Sequence, residues 1–599
     1  MDKKWLRTDY CGEITEKYLD KEVVVNGWVK SVRDHGGVIF VDLRDIRGVV
    51  QVVFNPEVNK EAHRKAEAIR DEYVLAVRGV VKKRPEESIN PNIKTGKVEI
   101  IVTDFEILNT SETPPIPFES AKIVSEDKRL RYRYLDLRSE TMKSNIIKRH
   151  QITQAVREYL NRSNFLEIET PMLIKSTPEG ARDFVVPSRL NKGKFYALPQ
   201  SPQIFKQILM VSGFDRYYQI ARCFRDEDLR SDRQPEFTQI DLEMSFVDMN
   251  SVMSTVEEMI KEVILKVYGI EIRDKFPVFS YEEAMNRFGS DKPDLRFGME
   301  LIDITDIASR TEFRVFKDAI ESGGVIKCIV VDRGDEIPRS EIDFLKEWVT
   351  EFGAKGVAWF RVRGGDLESN ITKFFSEEVR KEIIRKVNAK EGSLLLIVAD
   401  RWDIATTTLG QIRLRIAEKL KLMDSDSLKF CWVVNFPLFE WNEEEARLDP
   451  LHHPFTAPVY EDIDLLDSEP LKVRAQSYDI ILNGTEVGGG SIRIHNQELQ
   501  RKIFKLIGLS ESEAEEKFGF LLEAFRYGAP PHGGLAIGLD RFVALLQKAD
   551  SIRDVIAFPK TQKALCLLSG APSQIEKKQL DELGILLKEE EIEEKEVTY

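Results

Sequence analysis

Residues 223–241 read CFRDEDLRSDRQPEFTQID, with three arginines and six acidic residues between two apolar, strand-like runs. In the second run, FTQIDLEM (237–244), the residue types alternate, which predicts a strand with Ile240, Leu242 and Met244 on one face. The other face carries Phe237, Gln239, Asp241 and Glu243. A face with an aromatic ring, an amide and two carboxylates either contacts water or lines a polar pocket, and the pattern alone leaves both open.

The length and composition predict a protein of several domains outside the membrane. A chain of 599 residues is too long for one core. No apolar run approaches the ~18 residues that span a bilayer, so no membrane partner is expected. Five scattered cysteines argue against a disulfide framework and favour a reducing, cytoplasmic location. The net charge of −14 does not exclude a nucleic-acid partner, because such binding depends on local faces.

The N-terminal region predicts a small β barrel. Three strand-like runs, a helical stretch at 57–72 and two further strand runs follow one another within the first 110 residues. This order is typical of the OB fold, which commonly binds single-stranded nucleic acid, although another small barrel has the same strand content.

The remaining chain predicts a multidomain α+β protein. A proline-rich stretch, TSETPPIPFES (110–120), indicates a linker. Near 290–412 the sequence pattern changes to alternating helical and strand segments, which predicts an α/β domain inserted into the core. The acidic tail KEEEIEEKEVTY (588–599) predicts a solvated end. The expected division is 1–110 (OB barrel), 111–142 (linker), 143–289 (core), 290–412 (insertion), 413–562 (core) and 563–599 (C-terminal extension).

A second constellation lies in SYDIILNGTEVGGGSIRI (477–494). Asn483-Gly484 predicts a two-residue hairpin turn, which would pair Ile481 with Glu486 and Asp479 with Gly488. Asp479 and Glu486 would then be diagonal neighbours able to share Mg²⁺. Three successive glycines suggest a close ligand or a bulge, and a bulge would leave the face of Arg493 undetermined. A plain edge hairpin is the alternative.

Two further segments place polar groups at helix starts. In QSPQIFKQ (200–207), Ser201 is the expected N-cap, and Gln203 and Lys206 share a helical face. In GLAIGLDRFVALL (534–546), Arg541 near a helix start suits a polyphosphate, although a capping Asp540–Arg541 pair explains it equally. Adjacent histidines in a turn point apart, so His452-His453 does not predict a metal site.

These segments together resemble a known family. The helix and strand ending at Pro171, the charged hairpin and the GLDR helix resemble motifs 1, 2 and 3 of class II aminoacyl-tRNA synthetases, and the leading barrel resembles the aspartyl/asparaginyl/lysyl subgroup. The strings TPEGARDF (177–184), ALPQSPQIFKQ (197–207), HHPFT (452–456), EVGGGSIRIH (486–495) and IRDVIAFPKT (552–561) are similar to bacterial-type aspartyl-tRNA synthetases over essentially the whole chain.

The resemblance implies an ATP-dependent, AMP-forming ligase that attaches aspartate to tRNA-Asp in two steps. Catalytic roles fall on Arg225, Glu486 and Arg541, with Asp479 and Glu486 on Mg²⁺. The carboxylate of aspartate is already ionised, so the chemistry needs cations that bring two anions together rather than a general base. The residues implied for ATP are Arg225, Asp226, Glu227, Gln234, Phe237, Glu486, Gly538, Leu539, Asp540 and Arg541.

The same resemblance implies an acid-selecting pocket and a homodimer formed through motif 1. Lys206 and Arg493 would bind the side-chain carboxylate of aspartate, and His452 would close over the ligand. The residues implied around the amino acid are Glu179, Ser201, Gln203, Lys206, Arg225, Asp241, His452 and Arg493.

For the anticodon, the resemblance implies Phe40 stacking on a base, with Arg33, His35 and Gln51 nearby. A core position for Phe40 is the alternative. His35 is typical of relatives that also charge tRNA-Asn, whereas Glu87 stands where such relatives carry glycine, so charging of tRNA-Asn stays open. Rival functions are an asparaginyl or lysyl enzyme, a tRNA-independent amide ligase, and a catalytically inactive RNA-binding relative.

Overall fold

The computed structural model describes residues 2–117, 123–177, 180–228 and 232–588. Their contacts define two compact units, one of Met1–Ser144 with Cys566–Ala571 and one of Asn145–Leu565 with Pro572–Tyr599. Glu179, part of the predicted linker and residues 589–599 of the acidic tail lie outside the described residues. No described helix is both long enough and apolar enough to cross a membrane.

The first unit contains the predicted OB barrel. Five strands close in the order β1-β2-β3-β5-β4, with one helix after the third strand. They are β1 (Glu22–His35), β2 (Val38–Asp45), β3 (Gly48–Phe54), α1 (Lys60–Ala66), β4 (Val74–Lys83) and β5 (Val98–Asn109). The parallel pairing of β3 with β5 closes the barrel around alternate residues such as Val25, Val41 and Val52. The order of three strands, a helix and two strands, read from the sequence, is confirmed.

Between barrel and core, two short helices precede the motif 1 helix. They are α2 (Glu126–Arg131), α3 (Arg133–Asp136) and the long α4 (Glu140–Arg162). The predicted boundary at 142 falls inside α4, because this helix runs without interruption from Glu140.

The second unit begins with strands and helices that carry motifs 1 and 2. In chain order they are β6 (Leu166–Glu167), β7 (Val185–Pro187), β8 (Phe195–Ala197), α5 (Gln203–Val211), β9 (Arg216–Phe224), β10 (Glu236–Ser245), α6 (Met249–Tyr268), β11 (Val278–Ser280) and α7 (Tyr281–Phe288). The bounds of helix α6 follow from its sequence. The side chain of Asp248 accepts from the backbone N–H of Ser251 at the start, and Gly269 ends the helix at φ 71°.

The predicted insertion forms its own five-stranded sheet, ordered β12-β13-β16-β14-β15. Its elements are β12 (Ile302–Asp303), α8 (Thr305–Ala308), α9 (Arg314–Glu321), β13 (Val325–Val331), α10 (Arg339–Trp348), β14 (Ala358–Arg363), β15 (Asp366–Glu368), α11 (Glu377–Lys386), β16 (Leu394–Asp400) and α12 (Trp402–Lys419). Alternate residues of β16 join two hydrophobic cores, so helices cover both faces. Helix α12 passes through the predicted boundary at 412, since its Ile412 and Ile416 pack in the insertion core.

The chain then returns to the core. The last elements are β17 (Phe430–Val434), β18 (Phe439–Asn442), β19 (Arg447–Pro450), β20 (Ser477–Leu482), β21 (Thr485–Ile492), α13 (Gln497–Leu506), α14 (Glu511–Phe525), β22 (His532–Gly538), α15 (Leu539–Gln547) and α16 (Lys577–Leu583). An eight-stranded sheet results, ordered β11-β17-β20-β21-β22-β10-β9-β6. Its pairings are antiparallel except at the two edges, where β11 pairs parallel with β17 and β6 with β9.

Candidate active site

One cavity of about 870 Å³ opens on the polar face of the eight-stranded sheet. The alternation predicted for β10 decides this face: Ile240, Leu242 and Met244 are buried in the core, whereas Phe237 and Asp241 line the cavity. The strand therefore lines a polar pocket rather than a solvated face. The predicted amino-acid, ATP and metal residues that border the cavity are Ser201, Gln203, Lys206, Arg225, Glu227, Gln234, Phe237, His452, Asp479, Glu486, Arg493, Gly538, Asp540 and Arg541, together with Asp241.

The floor of the cavity holds a buried cluster of opposite charges. Lys206 of α5 donates to Oδ1 of Asp241 at 2.6 Å and lies 3.3 Å from Oε2 of Glu243. At most 2% of each of these residues is exposed. Burial raises the pKa of Asp241, although Lys206 opposes the shift. Charges this deeply buried are tolerated only when paired, so the cluster fixes the ammonium of Lys206 in place.

Arg493, the residue directly after β21, extends the cluster. Its Nε and Nη2 donate to Oε1 and Oε2 of Glu243 at 2.9 and 3.1 Å, and its Nη1 contacts Nε2 of His453 at 2.7 Å. Burial, and then the charge of Arg493, holds the pKa of His453 well below its usual range. A neutral His453 can accept from Arg493. The sequence did not fix which face of the sheet the side chain of Arg493 occupies. In the structure it occupies the face that carries Lys206 and Glu243.

Several buried polar atoms in this cavity have no hydrogen-bond partner within the described part of the chain. They are Nε2 of Gln203, Oδ2 of Asp241, Nδ1 of His452, Oδ1 of Asp479 and Nε of Arg541. Leaving such a group unpaired costs about 1–3 kcal/mol. Their concentration around one cavity indicates where a polar, charged ligand completes the network.

The hairpin of β20 and β21 differs from its predicted register at one point. Asn483 and Gly484 form the turn, with φ of 52° and 80°, and Ile481 pairs with Glu486 as expected. Asp479, however, pairs with Gly489 rather than Gly488, because a bulge shifts the register between Ile480 and Ile481. The glycines admit this bulge since they offer no side chain to clash.

Asp479 and Glu486 nevertheless lie on the same cavity wall. Burial, and then the neighbouring charge of Asp479, raises the pKa of Glu486, so the two carboxylates repel each other. Nε2 of His452 lies 3.5 Å from Oδ1 of Asp479. No described group of three or more acidic, histidine or cysteine side chains has metal-site geometry. Two carboxylates with an unpaired oxygen fit a divalent cation whose other ligands come from substrate phosphates.

The GLDR segment separates into two roles. Arg541 donates from Nη1 to the carbonyl of Glu486 at 2.8 Å and from Nη2 to Asp232 at 3.2 Å, so its guanidinium faces the cavity. The carboxylate of Asp540 instead accepts from the backbone N–H of Thr238 and from Arg149 of α4. Asp540 thus joins motifs 1, 2 and 3 and does not cap Arg541.

The charged hairpin of residues 225–236 is held by specific pairs. The guanidinium of Arg225 lies 5.1 Å from the ring centre of Phe237, and Glu227 pairs with Arg233 at 3.2 Å. The side-chain amide of Gln234 accepts from the N–H of Lys560 at 2.7 Å and donates to its carbonyl at 3.0 Å. The segment IRDVIAFPKT is therefore docked on the hairpin by an amide clamp.

Two residues predicted for ATP do not border the cavity. Leu539 is 1% exposed and belongs to the hydrophobic core, because the first turn of α15 points it away from the sheet face. Asp226 lies outside the cavity wall, where its N–H donates to the carbonyl of Arg182 and its carboxylate pairs loosely with that side chain at 3.8 Å. Leu539 turns into the core at the start of α15, and Asp226 lies in the connection between β9 and β10, where it contacts Arg182.

The predicted anticodon residues share the outer face of the OB barrel. Phe40 pairs across the strands with Arg33 and is absent from the barrel core, whereas its neighbours Ile39 and Val41 are buried in it. Arg33 contacts Asp42 and Gln51, and Gln51 in turn donates to Glu99 at 2.9 Å. His35 is exposed at the end of β1. The face thus joins an aromatic ring to hydrogen-bonding side chains, as base stacking requires.

Comparison with known proteins agrees with both the catalytic core and the N-terminal barrel described above. Residues 125–562 match the family described as tRNA synthetases class II (D, K and N), and residues 23–108 match the OB-fold nucleic acid binding domain. The first match covers well over half of the chain. The chain belongs to the class II tRNA synthetases of the D, K and N group.

Curated relatives of this synthetase are similar over nearly their full length. A protein of Caldanaerobacter subterraneus subsp. tengcongensis named Aspartate--tRNA(Asp/Asn) ligase is 58% identical, covering 97% of this chain and 98% of its own. A protein of Macrococcus caseolyticus named Aspartate--tRNA ligase is 55% identical over the same shares.

Solved structures share the fold of this synthetase. The asparaginyl-tRNA synthetase of Pyrococcus horikoshii complexed with asparaginyl-adenylate superposes with a TM-score of 0.59 at 20% identity, covering 93% of this chain and 98% of that one. That of Entamoeba histolytica gives 0.56 at 18% identity, covering 92% and 98%. At these identities the likeness concerns the fold.

Sequence reasoning missed several residues that line this synthetase's cavity, and also Glu243, which contacts the lining residues Lys206 and Arg493. Glu243 was visible on the polar face of β10 but carried no role, and His453 was set aside with the metal question. The insertion received no functional role from the sequence, yet it contributes to the cavity wall at Ser290, Asp291, Lys292, Thr407 and Gln411. Only the tertiary structure shows that these residues border the cavity, because no local sequence pattern predicts that this segment reaches the active site.

Proposed function

We propose that this synthetase activates L-aspartate with ATP and transfers it to the 3′ end of tRNA-Asp. The observation that carries the specificity is the pair of buried cations, Lys206 and Arg493, at the cavity floor. An ammonium has three N–H donors, and two face Asp241 and Glu243, so one remains for a ligand carboxylate. The name aspartate--tRNA ligase borne by relatives at 52–58% identity supports the same substrate.

This floor discriminates between amino acids by charge. Aspartate would supply a carboxylate to the remaining N–H donor of Lys206 and to Arg493, whereas asparagine would offer these donors a neutral amide whose NH₂ group also donates, a mismatch that gives on the order of 10⁴-fold rejection. Lysine would place a third cation beside two. We assign the unpaired Oδ2 of Asp241, with Ser201 and Gln203, to the substrate ammonium.

The activation step joins two anions, so positive charge is the requirement. We assign Arg225 to the aspartate α-carboxylate and the α-phosphate, because its guanidinium lines the same cavity as Lys206 and lies beside the ring of Phe237, to which we assign adenine stacking. Glu227 and Gln234 border the same nucleotide end. Arg541, held by the carbonyl of Glu486, faces the terminal phosphates.

Asp479 and Glu486 would hold Mg²⁺. When bound, this ion would neutralise phosphate charge during displacement of pyrophosphate. The chain's own contribution is to keep the two carboxylates on one wall through the bulged hairpin. His452, beside Asp479, closes the wall next to the aspartate pocket.

The OB barrel serves as the anticodon-binding domain in this proposal. Phe40 stacks on a base and Arg33, His35 and Gln51 lie beside it. We also propose a homodimer through motif 1, namely α4 and β6, and a cytoplasmic location in keeping with five cysteines that form no disulfide among the described residues, four of them buried.

Pyrophosphate exchange dependent on aspartate, asparagine or lysine tests the specificity. Exchange is expected with aspartate alone, and exchange with only asparagine or lysine would overturn the proposal. Lys206→Ala should raise the KM for aspartate far more than that for ATP. Arg225→Ala should abolish exchange while thermal unfolding stays unchanged, and near-normal exchange would refute its bridging role.

Charging of purified tRNA-Asp and tRNA-Asn, side by side, defines the acceptor. Relatives carry both names, Asp/Asn and Asp alone, at comparable identity. His35→Leu serves as a third arm, since His35 is exposed on the anticodon face. A chain that exchanges pyrophosphate with aspartate but charges neither tRNA would favour a tRNA-independent ligase.

A further inference from the structure

The first loop of the insertion reaches the active-site cavity. Residues 289–301 connect α7 to β12, and Ser290, Asp291 and Lys292 border the cavity together with Thr407 and Gln411 of α12. The insertion therefore contributes part of the wall of the synthetase site, although its residues lie outside motifs 1, 2 and 3 in the chain.

This loop is fixed by a buried arginine. Arg413 of α12, 1% exposed, donates to the carbonyls of Asp294, Phe297, Gly298 and Met299 at 2.9–3.2 Å. Its guanidinium also stacks at 4.1 Å from the ring centre of Phe297. These four charge-assisted hydrogen bonds restrain the backbone of the loop at Asp294 and from Phe297 to Met299.

Two close approaches position the loop against its neighbours. Gly289 and Gly410 touch so closely that a Cβ on Gly289 would lie 2.2 Å from the carbonyl oxygen of Thr406. On the other side, a Cβ on Gly484 would lie 3.1 Å from Cβ of Asp294. The loop thus packs directly on the turn of the β20–β21 hairpin, two residues before Glu486.

This packing places a cation at the phosphate end of the site. Nζ of Lys292 lies 3.7 Å from Oε2 of Glu486 and 3.5 Å from Oδ2 of Asp291, and 41% of the lysine side chain is exposed to the cavity or solvent. Arg541 contacts the backbone of the same Glu486. Two cations therefore flank Glu486, and among the described residues neither of them forms an ion pair or hydrogen bond with the Lys206 cluster.

From this geometry we propose that Lys292 binds the β- and γ-phosphates of ATP and the pyrophosphate that leaves. The inference rests on the proposed function. Its ammonium has donors to spare beyond Asp291 and Glu486, and a flexible four-carbon stem lets it turn from carboxylate to phosphate. Charge that develops on departing pyrophosphate is stabilised by a cation already in place. The insertion would thereby act on the first step of the reaction.

Lys292→Met keeps the length of the side chain and removes its charge. The KM for ATP and for pyrophosphate in exchange should rise about 10- to 100-fold, as expected for loss of a charge-assisted hydrogen bond. The KM for aspartate should stay within about 2-fold, because the aspartate pocket lies elsewhere in the cavity. Lys292→Arg should restore most of the loss.

Calorimetric titration with pyrophosphate and MgCl₂ separates this inference from the proposed function. Weaker binding of pyrophosphate to Lys292→Met than to the wild type would support the role of Lys292. Absence of aspartate-dependent exchange in the wild type would overturn the proposed function but not this role. Lys355→Met, an exposed lysine of the insertion outside this cavity, is the matched control and should bind normally. Unchanged pyrophosphate binding by Lys292→Met, or equal losses for ATP and aspartate, would refute the proposal.

Discussion

Glu243 and Arg493 form a two-point ion pair across strand β22, which separates β10 from β21 in the sheet. The pair passes over Gly534, where a Cβ would lie 2.0 Å from Oε2 of Glu243. The missing side chain gives the carboxylate its room. Specificity for an acidic substrate therefore depends on a carboxylate and a glycine that themselves touch no substrate in the proposed complex.

Glu243→Gln should loosen the substrate cation while keeping the shape of the site. Arg493 and Lys206 would lose a shared counter-ion, so we expect the KM for aspartate to rise about 10- to 100-fold with a smaller change for ATP. Breaking a buried pair also costs about 3–5 kcal/mol of unfolding free energy. Exchange kinetics and thermal unfolding measure both. Glu271→Gln, in the exposed pair with Arg273, should change neither, and a silent Glu243→Gln would contradict the positioning role.

Gly534→Ala should produce a similar defect from the opposite side. The added methyl group meets Glu243 and the backbone of Leu242, both buried, so the pair must shift or break. Overpacking of this kind costs about 1–3 kcal/mol. We expect a higher KM for aspartate and a lower melting temperature. Gly528→Ala, at an open position, tests strain without crowding the site, and normal aspartate kinetics in Gly534→Ala would argue against this account.

The neutrality of His453 makes stability depend on pH. Its folded-state pKa lies well below 6.5, so the unfolded chain binds a proton that the folded chain refuses. The contribution of His453 is therefore complete above about pH 6.5 and is lost as pH falls below it, by up to about 1.4 kcal/mol per pH unit. Melting temperatures at pH 7.5 and 5.5 should diverge less in His453→Gln than in the wild type, with exposed His35→Gln as control. Parallel pH profiles would show that His453 does not contribute.

Phe40→Ala should separate the two steps of the reaction. The ring lies on the outer face of the barrel, so its loss removes a stacking surface worth about 1–3 kcal/mol without opening the core. The KM for tRNA in aminoacylation should rise about 10- to 100-fold, while aspartate-dependent exchange stays unchanged. Val41→Ala, a core neighbour, should instead lower stability. A Phe40→Ala protein that charges tRNA normally would remove the ring from the anticodon site.

Much of the site was predictable because it follows local periodicity. Alternation in β10 separated Asp241 from the core, the Asn483-Gly484 pair set the hairpin turn, and helix spacing put Lys206 beside Gln203. Leu539 and Asp226, which the resemblance assigned to ATP, do not border the cavity, since adjacency in sequence to a cavity residue does not fix the direction of a side chain.

The sequence by itself determined the strand and helix pattern, the closed N-terminal barrel and the chemistry available on each face, because side-chain periodicity is a local property of the backbone. Tertiary structure alone decided the one-residue shift in the β20–β21 pairing, the buried pairing of Glu243 with Arg493, and the approach of Lys292 to Glu486. The two ion contacts join segments up to 250 residues apart and leave no periodic trace in the chain, whereas the glycine run permitted a bulge without fixing where it falls.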